Sequence, residues 1–381
     1  MRIIRTVAVS ITVAAVAVPA QHAAAAQTAT SGVQSVDGAY IVQLHRGADA
    51  RGLARALQVS PRYTYQAALN GFAADLTADQ LRALRGNPAV VRIEPDASVD
   101  NALDETQANP PAWGIDRIDE RKLPLDNRYR YSFDGTGVHA YVIDTGIDVT
   151  HPDFEGRATF DFNAFAGPDV DCNGHGTHVA GTIGSETYGV AKNVRLHAVR
   201  MLNCAGGGQL SGALMAIDWV TANAQRPAVA NTSWNWTWSD TLATALTAMM
   251  NSGVFLATSG GNTGANSCDR LPRGLTATMA VGATTITDTR AGFSSTGPCV
   301  DLYAPGVSIL STQPKNTTAL FSGTSMATPH AAGVAVLYKD EFGDANQATV
   351  SAYLTNIATR GVVQGNLVDT PNLLLFSSPD L

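Results

Sequence analysis

The sequence predicts an α/β protein with a mostly parallel central sheet, preceded by a small α+β domain. Two observations carry this reading. From Trp113 onward, short apolar strand candidates alternate with helix candidates, which is the pattern of a parallel sheet covered by helices on both faces. Upstream, residues 38–98 follow a strand-helix-strand-strand-helix-strand order, a ferredoxin-like arrangement.

The elements of the small domain come first. Ala39–Leu44 reads as a strand and Ala50–Val59 as a helix. Tyr63–Leu76 reads as strand material with a turn at Asn70-Gly71. Thr77–Arg85 is a helix opened by a capping box, Thr77 with Gln80, and Val90–Glu94 is the last strand. In the larger domain the strands are Val138–Ile143, Arg195–Met201, Ala228–Ser233, Val254–Thr258, Thr278–Ala283 and Val300–Ala304. The helices are His175–Ile183, Ala213–Ala224, Asp240–Met250, Ser325–Tyr338 and Gln347–Ile357, with Asp240 as an N-cap and Gly253 as a C′ residue.

Four regions follow from this. Residues 1–26 carry Arg2 and Arg5, the apolar run Val7–Val18 and the small-residue stretch Ala24-Ala25-Ala26, the make-up of a cleaved secretory signal. That run is too short to span a bilayer, which needs about 20 apolar residues, so no membrane anchoring is expected. The α+β domain at 38–98 is followed by an acidic linker, 99–112, with Asp100, Asp104 and Glu105, which looks exposed and cleavable near Asp104 or Glu105. The main domain is 113–381.

Charge narrows the partners. Through Glu105 the chain has 9 basic and 9 acidic residues, and from Thr106 onward 16 and 23. A mildly acidic domain offers no basic track for a phosphate backbone, so nucleic acid is not expected as a partner. Export to an oxidising compartment makes two disulfides the expected state of Cys172, Cys204, Cys268 and Cys299. Four cysteines allow three connectivities, and composition does not choose among them. No Cys-x-x-Cys pair supports a zinc site.

Three polar residues stand where a parallel sheet collects its loops. Asp144 ends the apolar strand Tyr141-Val142-Ile143-Asp144. His175 opens a helix in Asn173-Gly174-His175-Gly176-Thr177-His178, and Ser325 opens another in Ser322-Gly323-Thr324-Ser325-Met326-Ala327-Thr328-Pro329. Asn262 follows Ser259-Gly260-Gly261 just past a further strand. A serine hydroxyl becomes a nucleophile when a neutral histidine takes its proton, and a carboxylate holds that histidine in the right tautomer. Asn262, with the Ser325 N–H, would receive a developing oxyanion. Taken singly, the serine reads as an N-cap and the aspartate as turn chemistry. His175-x-x-His178 could be a metal pair, but the glycines around it speak against one. An α/β-hydrolase is excluded by order, since after Ser325 the one histidine, His330, has no acid before it.

The order Asp, His, Ser in these three contexts resembles the subtilisin family. The resemblance is nearest to the proteinase K and aqualysin branch, through Trp113-Gly114-Ile115-Asp116-Arg117-Ile118-Asp119, Cys172-Asn173-Gly174-His175-Gly176-Thr177-His178-Val179-Ala180-Gly181 and Gly323-Thr324-Ser325-Met326-Ala327-Thr328-Pro329-His330. It implies a subtilisin-like three-layer catalytic domain preceded by an inhibitor-type propeptide. It also implies a secreted serine endopeptidase, processed by itself from a proenzyme and acting as a monomer. Asp144, His175 and Ser325 would be its triad and Asn262 its oxyanion donor. The partners implied are protein and peptide substrates, with the chain's own propeptide as a transient inhibitor. A peptide-binding relative that keeps the triad without turnover is the competing reading.

The same resemblance pairs Cys172 with Cys204 and Cys268 with Cys299. Gly208, Gln209 and Leu210 would pair with the substrate backbone, and Ser259, Gly260 and Gly261 would wall the primary pocket. No cofactor is implied for catalysis. Structural Ca²⁺ would be held by Asp301 with carbonyls near Thr276 and Thr278, and at a second site by Asp116, Asp119 and Glu120. One stretch departs from the family. The second cleft wall, which ordinarily reads Ser-Leu-Gly-Gly, is Ser233-Trp234-Asn235-Trp236 here. The added side chains predict narrower subsites, with tryptophan lining a pocket.

Overall fold

The computed structural model describes residues 35–97 and 105–379, which fall into two compact units, one within 24–103 and one from Asp104 onward. The predicted signal and residues 99–104 of the expected linker lie outside the described residues.

The first unit runs β1 (Ser35–Leu44), α1 (Ala50–Ala56), β2 (Tyr63–Tyr65), β3 (Asn70–Asp75), α2 (Ala78–Arg85) and β4 (Val90–Ala97). Its antiparallel sheet has the order β2-β3-β1-β4. Val42, Leu44, Phe72 and Ala74 point from the strands onto Ala50, Ala54 and Leu84 of the helices. The capping box forms: Thr77 accepts from the Gln80 N–H, and the Gln80 side chain accepts from the Thr77 N–H. The expected Asn70-Gly71 turn does not form. Both residues lie within β3, and the chain reverses before them. Asn70 Nδ2 instead donates to the His45 and Ala48 carbonyls (2.7 and 3.0 Å), and a Cβ on Gly71 would sit 2.1 Å from Val42 O. The glycine serves close strand approach rather than turn geometry.

The second unit opens with β5 (Glu105–Ala108), α3 (Trp113–Ile118), β6 (Arg128–Tyr131) and β7 (His139–Asp144). It continues through β8 (Ala158–Asn163), α4 (His175–Gly184), β9 (Arg195–Arg200), α5 (Leu210–Asn223), β10 (Ala228–Thr232), β11 (Trp236–Thr237) and α6 (Asp240–Asn251). Then come β12 (Phe255–Ser259), β13 (Arg270–Leu271), β14 (Met279–Thr284), β15 (Leu302–Pro305), β16 (Ile309–Gln313), β17 (Thr317–Phe321), α7 (Thr324–Phe342), α8 (Gln347–Ile357), β18 (Thr359–Arg360) and β19 (Leu373–Leu374). The central sheet has the order β18-β19-β15-β14-β12-β10-β7-β9-β8 and is parallel except for β18 at its edge.

Both faces of this sheet are buried, and the strand period of two divides the residues between them. Ala140, Val142, Val229 and Ala257 face α4 and α7, packing on Val179, Ile183, Ala331 and Val334. Tyr141, Ile143, Ala230 and Leu256 face α5 and α6, packing on Ile217, Val220, Leu242 and Met249. Three layers result.

Four details differ from expectation. Part of the predicted linker is β5, paired with β6. The N-cap of α6 is Ser239, whose hydroxyl accepts from the Leu242 N–H, while Asp240 takes the first turn and accepts from Trp238 Nε1 (2.9 Å). β8 is an edge strand whose polar, half-exposed residues hide its periodicity. The β16–β17 hairpin likewise lies between the predicted elements. The C-cap region of α6 agrees, with Gly253 at φ +97° after the capping Ser252.

The sheet also creates a crevice. After β7 the chain crosses to β8 and β9 on one side, and after β10 it crosses to β12 on the other. At such a switch point the loops diverge beyond the carboxyl ends of the strands, leaving room for a ligand.

Candidate active site

Asp144 is the last residue of β7 and is fully buried at this crevice. Its Oδ1 lies 2.8 Å from His175 Nδ1, at the first residue of α4, and also accepts from the Thr145 N–H (2.8 Å). Asp144 Oδ2 is buried without a hydrogen-bond partner among the described residues. The carboxylate draws the proton to Nδ1 and leaves His175 Nε2 as an acceptor. Burial alone would lower the His175 pKa. The Asp144 charge and hydrogen bond, with the Asp171 charge behind them, raise it above the ordinary imidazole value.

Asp171 was not singled out in the sequence, yet it builds this corner. Its Oδ1 accepts from the Asn173 and Gly174 N–H groups and from Thr145 Oγ1; its Oδ2 accepts from the Thr177 N–H and hydroxyl. It therefore caps α4 from three residues ahead of Gly174, which has no capping side chain of its own. An aspartate just ahead of a glycine N-cap is the signal that could have found it. Gly176 is required by contact, since a Cβ there would lie 2.1 Å from Gly146 O. His178 turns away. Its Nε2 sits 3.0 and 3.1 Å from the Ile309 and Ala319 carbonyls, its ring stacks on Phe321, and burial pushes its pKa down to about 3. It is a core histidine.

Ser325 lies in the first turn of α7, where its N–H has no helical acceptor upstream. Pro329, four residues on, has no N–H to give to the Ser325 carbonyl. That carbonyl accepts instead from Ser233 Oγ (3.0 Å), while Ser325 Oγ donates to Ser233 O (3.0 Å). This reciprocal pair ties the head of α7 to the segment leaving β10. Asn262, just past β12, is oriented from the other side. Its Oδ1 accepts from the Thr324 N–H and hydroxyl, both at 2.9 Å, so its Nδ2 faces Gly323 at the head of α7.

A cavity of about 380 Å³ opens beside His175 and Ser233, lined also by Asn173, Thr145, Leu202, Gly206–Gly208 and Trp234–Trp236. Gly208 lines it as expected, but Gln209 is the N-cap of α5 and Leu210 its first residue, so Leu210 does not form an extended pairing edge. Ser259, Gly260 and Gly261 lie beside Ser233–Asn235, because β10 and β12 are neighbours and their continuations leave the sheet together. The tryptophans divide. Trp234 is only 6% exposed, packs on the α5–α6 side and donates Nε1–H to Ile143 O (2.9 Å), so its bulk belongs mainly to the core. Trp236 is half-buried and pairs with Leu271, and Asn235 Oδ1 accepts from Arg273 Nη1.

Both disulfides follow the pairing that the resemblance implied: Cys172–Cys204 and Cys268–Cys299, with Cα–Cα distances of 5.0 and 5.5 Å. The first fastens the loop before His175 to the loop before Gly206. Asp116 and Glu120 meet Asp126, each offering a carboxylate oxygen within 4.8 Å of the others. Asp119 stands outside this group, and its Oδ2 accepts from the Arg130 N–H (3.0 Å). Asp301 accepts from the Ala280 N–H (2.7 Å) and is pushed up to about 7 by burial; the Thr278 hydroxyl is taken by Leu275 O (2.9 Å).

The subtilase family matches residues 135–371, and the peptidase inhibitor I9 family matches residues 19–102. The chain belongs to the subtilase family. It is 47% identical over 317 residues to an extracellular serine proteinase of Thermus sp. (strain Rt41A), across 82% of this chain and 77% of that protein. It is 46% identical over 318 residues to the alkaline serine exoprotease A of Vibrio alginolyticus, spanning 59% of that longer protein. A crystal structure of a cold adapted subtilisin-like serine proteinase superposes with a TM-score of 0.68 at 45% identity, covering 70% of this chain and 97% of the other. The three-layer unit is thus a subtilisin-like serine proteinase fold, and the preceding α+β unit is an I9 propeptide domain.

Proposed function

We propose that this subtilase is a secreted endopeptidase whose triad is Asp144, His175 and Ser325, with residues 38–98 as its propeptide and inhibitor and 113–381 as the catalytic domain. The observation that carries this is the 2.8 Å bond from Asp144 to His175 at the switch-point crevice. Ser325 is held at the same crevice through Ser233. Freed from Ser233 O, the Ser325 hydroxyl attacks the scissile carbonyl while His175 Nε2 accepts its proton. The imidazolium so formed is stabilised by Asp144. The tetrahedral oxyanion meets Asn262 Nδ2 and the Ser325 N–H, at a helix N-terminus that favours negative charge. His175 then gives its proton to the leaving amine, and water repeats the sequence to release the acyl group. Gly206–Gly208 and Ser233–Asn235 would flank the peptide.

The test of the activity is plain. The mature protein should hydrolyse casein, and phenylmethylsulfonyl fluoride should stop it; undiminished hydrolysis would exclude a serine mechanism. Asn262→Ala should lower kcat by about 10²–10³-fold with KM nearly unchanged, a magnitude taken from subtilisin, a member of the same family. A loss confined to KM would remove Asn262 from the oxyanion role.

No catalytic cofactor is required. A structural divalent cation such as Ca²⁺ would be held by Asp116, Glu120 and Asp126, an all-oxygen set in which Glu120 Oε2 is buried without a hydrogen-bond partner among the described residues. Among the described residues no helix is long and apolar enough to cross a membrane. The relatives that are called extracellular favour export for this chain.

A further inference from the structure

Two arginines are fully buried in the second unit, and they are treated differently. Arg117 meets Asp288 through two hydrogen bonds, 2.7 and 2.9 Å. Arg273 is 2% exposed and has no carboxylate within ion-pair distance among the described residues. Its Nε donates to Ser267 O (2.8 Å) and Oγ (2.9 Å), and its Nη1 to Asn235 Oδ1. Its Nη2 makes no hydrogen bond to a described residue, and a Cβ on Gly261 would lie 3.0 Å from it. Burial, with Arg270 adding like charge, lowers the guanidinium pKa to about 10, so it remains a cation at neutral pH. A buried cation without a counter-charge is expensive unless something supplies one.

Its position says what could. Asn235 belongs to the segment leaving β10, and Gly261 to the segment leaving β12. Ser325 Oγ bonds the first segment at Ser233, and Thr324 accepts from Gly261 N (3.1 Å) in the second. The guanidinium therefore bridges the two segments that flank the nucleophile. An acyl-side residue whose carbonyl sits between Ser325 Oγ and Asn262 Nδ2, with its side chain entering between those segments, would approach Arg273.

Resting on the endopeptidase reading above, we propose that Arg273 selects substrates with glutamate or aspartate on the acyl side of the cleaved bond. The carboxylate completes the guanidinium's hydrogen bonds at Nη2. The expected processing segment carries Asp104 and Glu105, and a cut after Asp104 would leave an acidic residue on the acyl side of the bond.

The test is a set of peptide p-nitroanilides, Ala-Ala-Pro-Xaa, assayed with mature enzyme whose active sites are titrated with a fluorophosphonate. Glutamate at Xaa should give kcat/KM at least 10-fold above phenylalanine and alanine. Arg273→Ala should lose at least 10-fold on glutamate and gain on phenylalanine, and Arg273→Lys should keep part of the acidic preference. Preference of the wild type for alanine or phenylalanine would overturn the assignment whether or not the variants fold. So would an equal change on all peptides in a folded variant, since Arg273 would then only brace Asn235 and Ser267. An enzyme that the fluorophosphonate does not label and that cuts no peptide would instead overturn the endopeptidase reading beneath it.

Discussion

Ser325→Ala is expected to stop proteolysis and maturation together, leaving full-length proenzyme with its propeptide attached. The loss in kcat should be about 10⁶-fold, the size found on removing a triad serine in subtilisin, a relative of this chain. The fold should survive. Ser325 Oγ contributes one neutral hydrogen bond, to Ser233 O, whose loss costs about 1 kcal/mol. The Ser325 carbonyl, which Ser233 Oγ holds, is untouched by the substitution. Electrophoresis of the secreted product without added protease, beside a thermal melt, reads both results. A variant that still matures normally would mean another group performs the cleavage.

Asp144→Asn is expected to cost about 10⁴-fold in kcat while the backbone stays in place. An amide can offer Nδ2–H to His175 Nδ1, which turns the ring to the tautomer with its proton on Nε2, where the base is needed. The pH profile gives a second readout. In the wild type, burial lowers the His175 pKa, and the Asp144 charge and hydrogen bond overcome that and raise it. Activity needs neutral His175, so the acid limb of kcat/KM should lie above the ordinary imidazole value of about 6.5. Activity falls as pH drops through it. Without the Asp144 charge, burial dominates, and the limb should move to lower pH. An acid limb that stays put in the variant would assign it to another group.

The positions of Asp144, His175 and Ser325 were legible because each stands at a strand end or helix start whose local sequence announces it. A parallel sheet gathers such ends without further instruction, and the strands that carry them are apolar runs bounded by glycines. The sheet edges were less legible. β8 mixes Thr159, Asp161 and Asn163 with its aromatics, since one side of an edge strand meets water. Asn70-Gly71 has turn chemistry, but tertiary contacts with Val42 and His45 place it in a strand. Trp234 lines the cavity as expected, but its indole also packs in the core and gives its N–H to the Ile143 carbonyl, which no local pattern announces.

The residues that were missed share a cause. Asp171 acts through backbone N–H groups up to six positions ahead and through Thr145, so its role exists only once that loop is closed. Arg273 sits in a loop with no periodicity. Its meaning comes from Asn235, which is 38 residues away in sequence, and from Gly261 on the facing segment. The Asn235 that departs from the family at the cleft wall is thus the partner of a buried cation. Sequence spacing alone carries no sign of that pairing.

The proposed mechanism has Ser325 as its one activated nucleophile. Mature enzyme labelled with a fluorophosphonate and digested for mass spectrometry tests this directly. The predicted result is a single adduct on the peptide carrying Gly323-Thr324-Ser325-Met326, at Ser325, with labelling and casein hydrolysis lost in parallel. An adduct on a different residue, or hydrolysis that continues after Ser325 is fully labelled, would contradict it.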